Sequence, residues 1–283
     1  MNCFPTKILL ATDGSESTEQ ATEAAVDLST KSGSELHVVH VWHDVPGPYA
    51  HKFVKGELRR QGQEILDEQV RKIEEAGATV TKAYLRGGRT TDEVLRLGDE
   101  LDAGLLVVGS RGLRGMRRIL LGSHSEDIVH HAHRAVLVVR FGANVWPPAR
   151  IVSGDDLSED ARKATELAAN LGKLFGARML LLHADPQLPQ ASGEAVRRAE
   201  GELEDRAGEL EGILEERPQA RVVAGDPAGV LIESAQEGEG PTLVAVGSRG
   251  LGPVGRLRLG SVSTKVIRAG LGAVLVYPHV GER

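Results

Sequence analysis

The stretch GSRGLRGMRRILLGS, residues 109–123, returns 138 positions later as GSRGLGPVGRLRLGS, residues 247–261. Both carry the spacing Gly-x2-Gly-x9-Gly-Ser, and the agreement continues outward from them. KILLATDGSESTEQATEAAVDLS from Lys7 answers to RIVSGDDLSEDARKATELAANLG from Arg150, which sets Asp13 on Asp156 and Ala21 on Ala164. ELHVVHV, ending at Val41, answers to RMLLLHA, ending at Ala184, with His40 on His183. GLLVVGSRG at 104–112 answers to TLVAVGSRG at 242–250, and AVLVVR at 135–140 to AVLVYP at 273–278. A repeat of this length is a duplicated domain. Between the copies, FGANVWPPAR (141–150) carries a Pro-Pro pair and no hydrophobic period, as a linker does. Domains are expected at 1–142 and 148–283.

Each copy alternates short apolar runs with longer amphipathic segments. In the first, Ile8 to Ala11, Leu36 to Val41, Val80 to Leu85, Leu105 to Val108 and Ala135 to Val139 read as buried strands, rich in Val, Leu and Ile. Helical patterns lie between them at 15–32, 56–76, 90–102 and 123–133. Strands that alternate with helices form a parallel sheet, because parallel neighbours need right-handed crossovers. The expected fold class is therefore α/β, with two tandem doubly wound five-stranded parallel-sheet domains. The last strands, 135–139 and 273–277, are apolar and end their sheets, so they are expected to pair antiparallel and make the chain an intrachain pseudo-dimer. A homodimer is the further expectation.

Composition narrows the function classes. The formal net charge of -6 argues against a general affinity for nucleic acid. The single cysteine, Cys3, cannot form an intrachain disulfide, which suits a reducing compartment. The apolar run ILLA after Lys7 is too short for a signal core or a membrane span, so no membrane partner and a cytoplasmic location are expected.

In a doubly wound sheet, ligands settle at the carboxyl ends of strands where the strand order reverses. Gly109 and Gly247 follow the fourth strand of their copies, and Asp13 and Asp156 follow the first. Glycines there permit positive φ and let backbone N–H groups approach a phosphate. Ser123 and Ser261 open helices, whose N-terminal amides also receive anions. One such loop is weak evidence in a chain with 34 glycines, whereas two at equivalent places are strong evidence. Arg111 and Arg249, repeated in both copies, are placed to meet phosphate oxygens. The P-loop lysine is absent from both loops.

These residues resemble the universal stress protein family in its tandem two-domain form: ATDGSES after the first strand and Gly-x2-Gly-x9-Gly-Ser after the fourth, twice, over nearly the whole chain. The glycine spacing is similar to that of the family's ATP-binding branch. The resemblance implies an adenine nucleotide alpha hydrolase-like arrangement that binds ATP or another adenine nucleotide, with or without Mg2+. The aspartate would take the ribose, the end of the second strand the adenine, and the glycine loop and serine the phosphates. The first site would use Ala11, Asp13, Val41, Val108, Gly109, Gly112, Gly122, Ser123 and His124. The second would use Gly154, Asp156, Ala184, Val246, Gly247, Gly250, Gly260, Ser261 and Val262. The copies differ: His124 stands against Val262, Val41 against Ala184, and Arg114, Arg117 and Arg118 against Arg256 and Arg258. Asp155, beside Asp156, leaves that carry-over open by one residue.

Other clusters have plainer explanations. In HSEDIVHHAHR, His130 and His133 would share a helix face, which suits metal less well than a basic helix end near the dipole's negative pole. No metal site is expected. His40, the one strand-end histidine that recurs, is expected to pack or hydrogen-bond behind the adenine region. The segment 194–217, EAVRRAEGELEDRAGELEGILEER, is expected to be a solvated helix laced with weak ion pairs.

The leading expectation is a nucleotide-binding regulatory protein in which occupancy orders the glycine loops and changes what an unidentified protein partner sees. An ATP-dependent enzyme, a slow ATPase or adenylating type, is the alternative, although no paired nucleophile and base are evident. A structural interaction protein with empty crevices is a third possibility, disfavoured by the retained glycine spacing.

Overall fold

The computed structural model describes residues 4–43, 52–110, 122–142, 145–248, 259–269 and 271–279. The chain divides into two compact units, Pro5–Phe141 and one that begins at Gly142.

The first unit runs β1 (Lys7–Ala11), a 3-10 turn (Glu16–Thr18), α1 (Glu19–Ser32), β2 (Glu35–Trp42), α2 (Lys52–Glu75), β3 (Val80–Gly87), α3 (Thr90–Leu101), β4 (Leu105–Gly109), α4 (Ser123–His131) and β5 (Ala135–Val139). Its strand order is β3-β2-β1-β4-β5, parallel throughout. The second unit runs β6 (Arg150–Gly154), α5 (Glu159–Phe175), β7 (Arg178–Asp185), a 3-10 turn (Leu188–Gln190), α6 (Gly193–Leu214), β8 (Gln219–Ala224), α7 (Pro227–Gln236), β9 (Thr242–Gly247), α8 (Ser261–Arg268) and β10 (Ala273–Tyr277). Its order is β8-β7-β6-β9-β10, again parallel. Each unit is the expected five-stranded α/β sheet.

The inner strands are buried on both faces, which is why they read as continuous apolar runs: every residue of LLVVG in β4 and AVLVV in β5 is buried. Val80 to Leu85, expected to be buried, is instead largely exposed, as is β8, because β3 and β8 each have a strand neighbour in their unit on one side only. Small residues bring the first helix of each unit close to its sheet. Ala21, Ala24 and Ala25 are fully buried on α1, as are Ala164, Ala168 and Ala169 on α5. Both helices stop at a left-handed glycine, Gly33 at φ 75 and Gly176 at φ 64, whose N–H closes on the last turn. The helical pattern expected from residue 15 begins instead with the 3-10 turn, where the Thr18 hydroxyl donates to the Ser15 carbonyl and competes with a regular first turn.

On α2, Leu66, Gln69 and Ile73 face inward while Arg60 and Arg71 bond glutamates three and four positions away on the exposed side. Such pairs contribute only about 0.2–0.5 kcal/mol each. The long helix is held by its buried stripe. The helix expected over 123–133 ends at His131, because Ala132 turns extended. His133 therefore lies outside it, and the shared helix face proposed for His130 and His133 does not form.

The stretch expected to be a linker is partly structural. Trp146 is buried and meets Phe175 edge to face, with ring centroids 5.1 Å apart, so the second unit takes up chain well before β6. Trp146→Ala is expected to destabilise the second unit by about 3–5 kcal/mol. Guanidinium unfolding followed by circular dichroism checks this; an unchanged midpoint would show that the tryptophan is not an anchor.

Candidate functional site

The carboxyl edge of each sheet has the same construction. β1 lies between β2 and β4, and β6 between β7 and β9, so the connections leaving β1 and β4, and β6 and β9, run to opposite sides, the place where a doubly wound sheet offers a ligand crevice. The register sets Ala11 beside Val108 in the first unit and Ser153 beside Ala245 in the second. Just outward lie Thr12 and Asp13 beyond β1 with Gly109 closing β4, and Gly154, Asp155 and Asp156 with Val246 and Gly247.

Beyond β1 the main chain turns sharply around a carboxylate. Asp13 Oδ1 accepts from the Ser15 N–H at 3.0 Å and the Ser15 hydroxyl at 2.6 Å. Asp156 Oδ1 accepts from the Ser158 N–H at 3.1 Å and the Ser158 hydroxyl at 2.5 Å. These are matching Asx turns, and they make Asp156 the counterpart of Asp13. Asp155 instead stands where Thr12 does: Thr12 N–H donates to the Val39 carbonyl and Asp155 N–H to that of Leu182. The turn needs a left-handed residue, which is Gly14 at φ 76 in the first unit and Leu157 at φ 68 in the second. A side chain in that conformation costs roughly 1–2 kcal/mol.

Beyond β4 the glycine loop is fastened at its base. The Gly122 N–H donates to the Ser110 carbonyl at 2.6 Å, and the Ser125 hydroxyl to the Gly109 carbonyl at 2.6 Å. In the second unit Gly260 N–H bonds Ser248 at 2.6 Å and the Ser263 hydroxyl bonds Gly247 at 2.7 Å. Ser125 and Ser263 were not singled out from the sequence, although the repeated Gly-Ser-x-Ser was the signal. α4 and α8 thus start directly beside the ends of β4 and β9. Their N-caps are Gly122 and Gly260, which have no side chain to cap with; α1 and α3 also lack a side-chain cap, whereas α5, α6 and α7 are capped by Ser158, Ser192 and Asp226. The exposed Ser123 and Ser261 open two helix N-termini, whose first N–H groups have no acceptor within the helix itself.

The glycines earn their place differently from the expectation of positive φ. Gly122 and Gly260 have φ of -65 and -73. At Gly109 a Cβ would lie 3.0 Å from both the Ser17 carbonyl oxygen and Thr18 Cγ2, so glycine lets the 3-10 turn pack on the strand end. At Gly154 a Cβ would lie 2.7 Å from Leu231 of α7.

The end of the second strand joins the same edge. His40 is buried and its Nδ1 donates to the Thr12 carbonyl at 3.0 Å; His183 repeats the bond to Asp155 at 2.8 Å. Half-buried Val41 and Ala184 follow. In the first unit His43, just past β2, lies with its ring centroid 6.4 Å from that of His124 on α4, so the β2 end and the α4 start converge. Val262 takes the place of His124 on α8. Arg111, Gly112, Arg249 and Gly250, with the other loop arginines, lie outside the described residues. Among the described residues no three His, Cys, Asp or Glu side chains gather as for a metal, and no helix is long and apolar enough to cross a membrane.

A doubly wound sheet with an Asx turn after its first strand and a glycine-capped helix after its fourth, built twice in one chain, defines a tandem α/β class. The universal stress protein family model matches residues 5–140 and again 148–278. A universal stress protein of Mycobacterium tuberculosis is 31% identical over 301 residues, covering 95% of this chain and 94% of that one. The single-copy universal stress protein YxiE of Bacillus subtilis is 31% identical over 147 residues, 47% of this chain and 98% of its own length. The crystal structure of a universal stress protein from Archaeoglobus fulgidus shares the fold, with a TM-score of 0.75 at 24% identity over 96% of this chain and 98% of that one. The chain belongs to the universal stress protein family.

Burial pushes the His40 imidazole below its ordinary value of 6.5, against the opposing pull of its bond to Thr12 and the nearby Asp13 carboxylate. The folded state therefore binds fewer protons there than the unfolded chain, and stability present above about pH 6.5 is lost on acidification below it. The loss of unfolding free energy between pH 7 and pH 5 is expected to be smaller in His40→Asn than in the parent. Equal losses would remove His40 as a source of acid sensitivity.

Proposed function

We propose that the chain binds adenine nucleotide, ATP or a close relative, at two similar sites, one in each of the proposed domains 1–142 and 148–283, and acts as a regulatory binding protein. One observation carries this reading: in both units an uncapped helix N-terminus is fastened beside an aspartate turn at the strand-order reversal. A helix start offers aligned N–H donors and about half a positive charge to a phosphate. A carboxylate on the neighbouring strand suits a sugar diol, which donates hydrogen bonds and carries no charge. The two fit opposite ends of one nucleotide.

In this reading Gly122, Ser123, Gly260 and Ser261 receive phosphate, joined by Gly112, Gly250, Arg111 and Arg249 of the loops. Asp13 and Asp156 take the ribose, and Val41 and Ala184 flank the base. Mg2+, where it accompanies the nucleotide, would neutralise phosphate charge beside Gly122, Ser123, Gly260 and Ser261. His124 at the first site and Val262 at the second make unequal affinities the expectation. Whether nucleotide is bound then decides what the loops present to a protein partner.

The proposed chemistry is retention. Donors at a helix start bind ground and transition state alike, and uniform binding does not accelerate hydrolysis. Asp13 and Asp156 sit at the ribose end, away from the terminal phosphate. Mass spectrometry of nucleotide released from freshly purified protein identifies the ligand. Asp13→Ala is expected to weaken the first site by about 1–3 kcal/mol, roughly tenfold to a hundredfold, in calorimetric titration with ATP. Unchanged affinity would remove Asp13 from the ribose role. Single-turnover hydrolysis is expected to stay far below the roughly 1–10³ s⁻¹ of ordinary enzymes. Rapid turnover abolished by bulky residues at Gly112 and Gly250 would establish the enzyme alternative.

A further inference from the structure

The two aspartate turns have the same shape but are held by different chemistry. Leu66 and Ile73 of α2 answer to Leu203 and Leu210 of α6 as buried residues, which sets Gln69 against Arg206. In the first unit the contacts are neutral: the Thr12 hydroxyl donates to Gln69 Oε1 at 3.3 Å, and the Gly14 N–H donates to Thr12 Oγ1 at 3.2 Å. Glycine takes the left-handed position, and a Cβ there would lie 2.7 Å from Ile65 Cγ2.

In the second unit all three residues have changed. Asp155, 2% exposed, replaces Thr12; its Oδ1 accepts from the Leu157 N–H at 2.7 Å. Arg206 replaces Gln69 and forms a salt bridge with Asp155 through Nη1. Its Nη2 reaches the Ser158 carbonyl at 3.3 Å. Leu157 replaces the glycine. One guanidinium therefore grips both ends of the Asp155–Ser158 turn, with Asp156 between them. The helix segment expected to be a solvated face laced with weak pairs sends this one arginine inward.

We infer that Arg206 is the positioning residue of the second site: with Asp155 it forms a charge clamp that holds the strained Leu157 turn and presents Asp156. A carboxylate is a stronger acceptor for the Leu157 N–H than the threonine hydroxyl, which suits a turn without glycine. A buried carboxylate is tolerable only when paired, so the clamp depends on α6 in a way the first site's Thr12–Gln69 contact does not. Arg206 touches no ligand in this assignment; it acts through the turn, and the ligand part rests on the nucleotide reading above.

The test transplants the first unit's chemistry into the second. In full-length protein carrying Asp13→Ala to weaken the first site, Arg206→Gln is expected to lower ATP affinity at the second site by about tenfold or more in calorimetric titration. The triple change Asp155→Thr, Leu157→Gly, Arg206→Gln is expected to restore affinity to within about threefold of that parent. Unaltered affinity in Arg206→Gln overturns the inference, as does a folded triple variant that binds as weakly as the single one. If Arg206→Gln does not fold, the triple variant decides alone: parental affinity supports the clamp, and loss in a folded protein overturns it. If the chain binds no ATP, the nucleotide reading fails and hydrogen exchange at the Ser158 amide still judges the turn. Faster exchange in Arg206→Gln, slowed again in the triple variant, supports the clamp; unchanged exchange overturns it.

Discussion

The parallel pairing of β1 with β4, repeated by β6 with β9, joins two segments that lie far apart in sequence and makes the buried centre of each sheet. Because β2 and β7 occupy the other sides of the central strands, this pairing is where the chain reverses direction across the sheet. The crevice, the aspartate turn and the helix start are brought together by it. Main-chain bonds at the carboxyl edge extend the pairing outward: Thr12 and Asp155 toward the second strand, and Ser110 and Ser248 toward the fifth. The site is thus continuous with the core, which is why its geometry recurs in both units while the surface helices diverge.

Duplication gave two copies of one scaffold, and their differences are coupled through contacts. A leucine at the left-handed position is tolerable where a carboxylate, held by an arginine, replaces a hydroxyl held by a glutamine. None of these changes makes sense alone: Asp155 without Arg206 is a buried unpaired charge, and Leu157 without Asp155 has lost its strong acceptor. Elsewhere the copies stayed alike because the constraint is steric or local. Ser125 and Ser263 fasten helix to strand by the same hydroxyl-to-carbonyl bond, and His40 and His183 bond the same main-chain position.

The repeat, the inner strands of each unit and the helices between them were legible because a strand buried on both faces must be apolar throughout, while a covering helix must be apolar on one side only; β3 at the exposed edge was found as a strand but misread as buried. The positions of Asp13 in a turn, Gly109 at a strand end and Ser123 at a helix start were legible because turns and helix starts demand particular side chains at fixed offsets. Trp146 was hidden in a segment that reads as linker, since one aromatic has no period. Arg206 was hidden for a related reason: among the arginines and glutamates of α6, nothing in the spacing marks the one that turns inward.

Sequence alone determined the duplication, the fold class, the order of elements and the placing of Asp13 and Gly109 beside strand ends and of Ser123 at a helix start, because each follows from local periodicity or from turn chemistry within a few residues. Tertiary structure decided which of two adjacent acids forms the Asx turn and which is buried against Arg206, and which glycines serve packing rather than positive φ. Those outcomes depend on what packs against each residue from elsewhere in its unit: Leu182 and α6 against Asp155, the 3-10 turn against Gly109, and α7 against Gly154. Distances between segments remote in sequence exist only once the chain has folded.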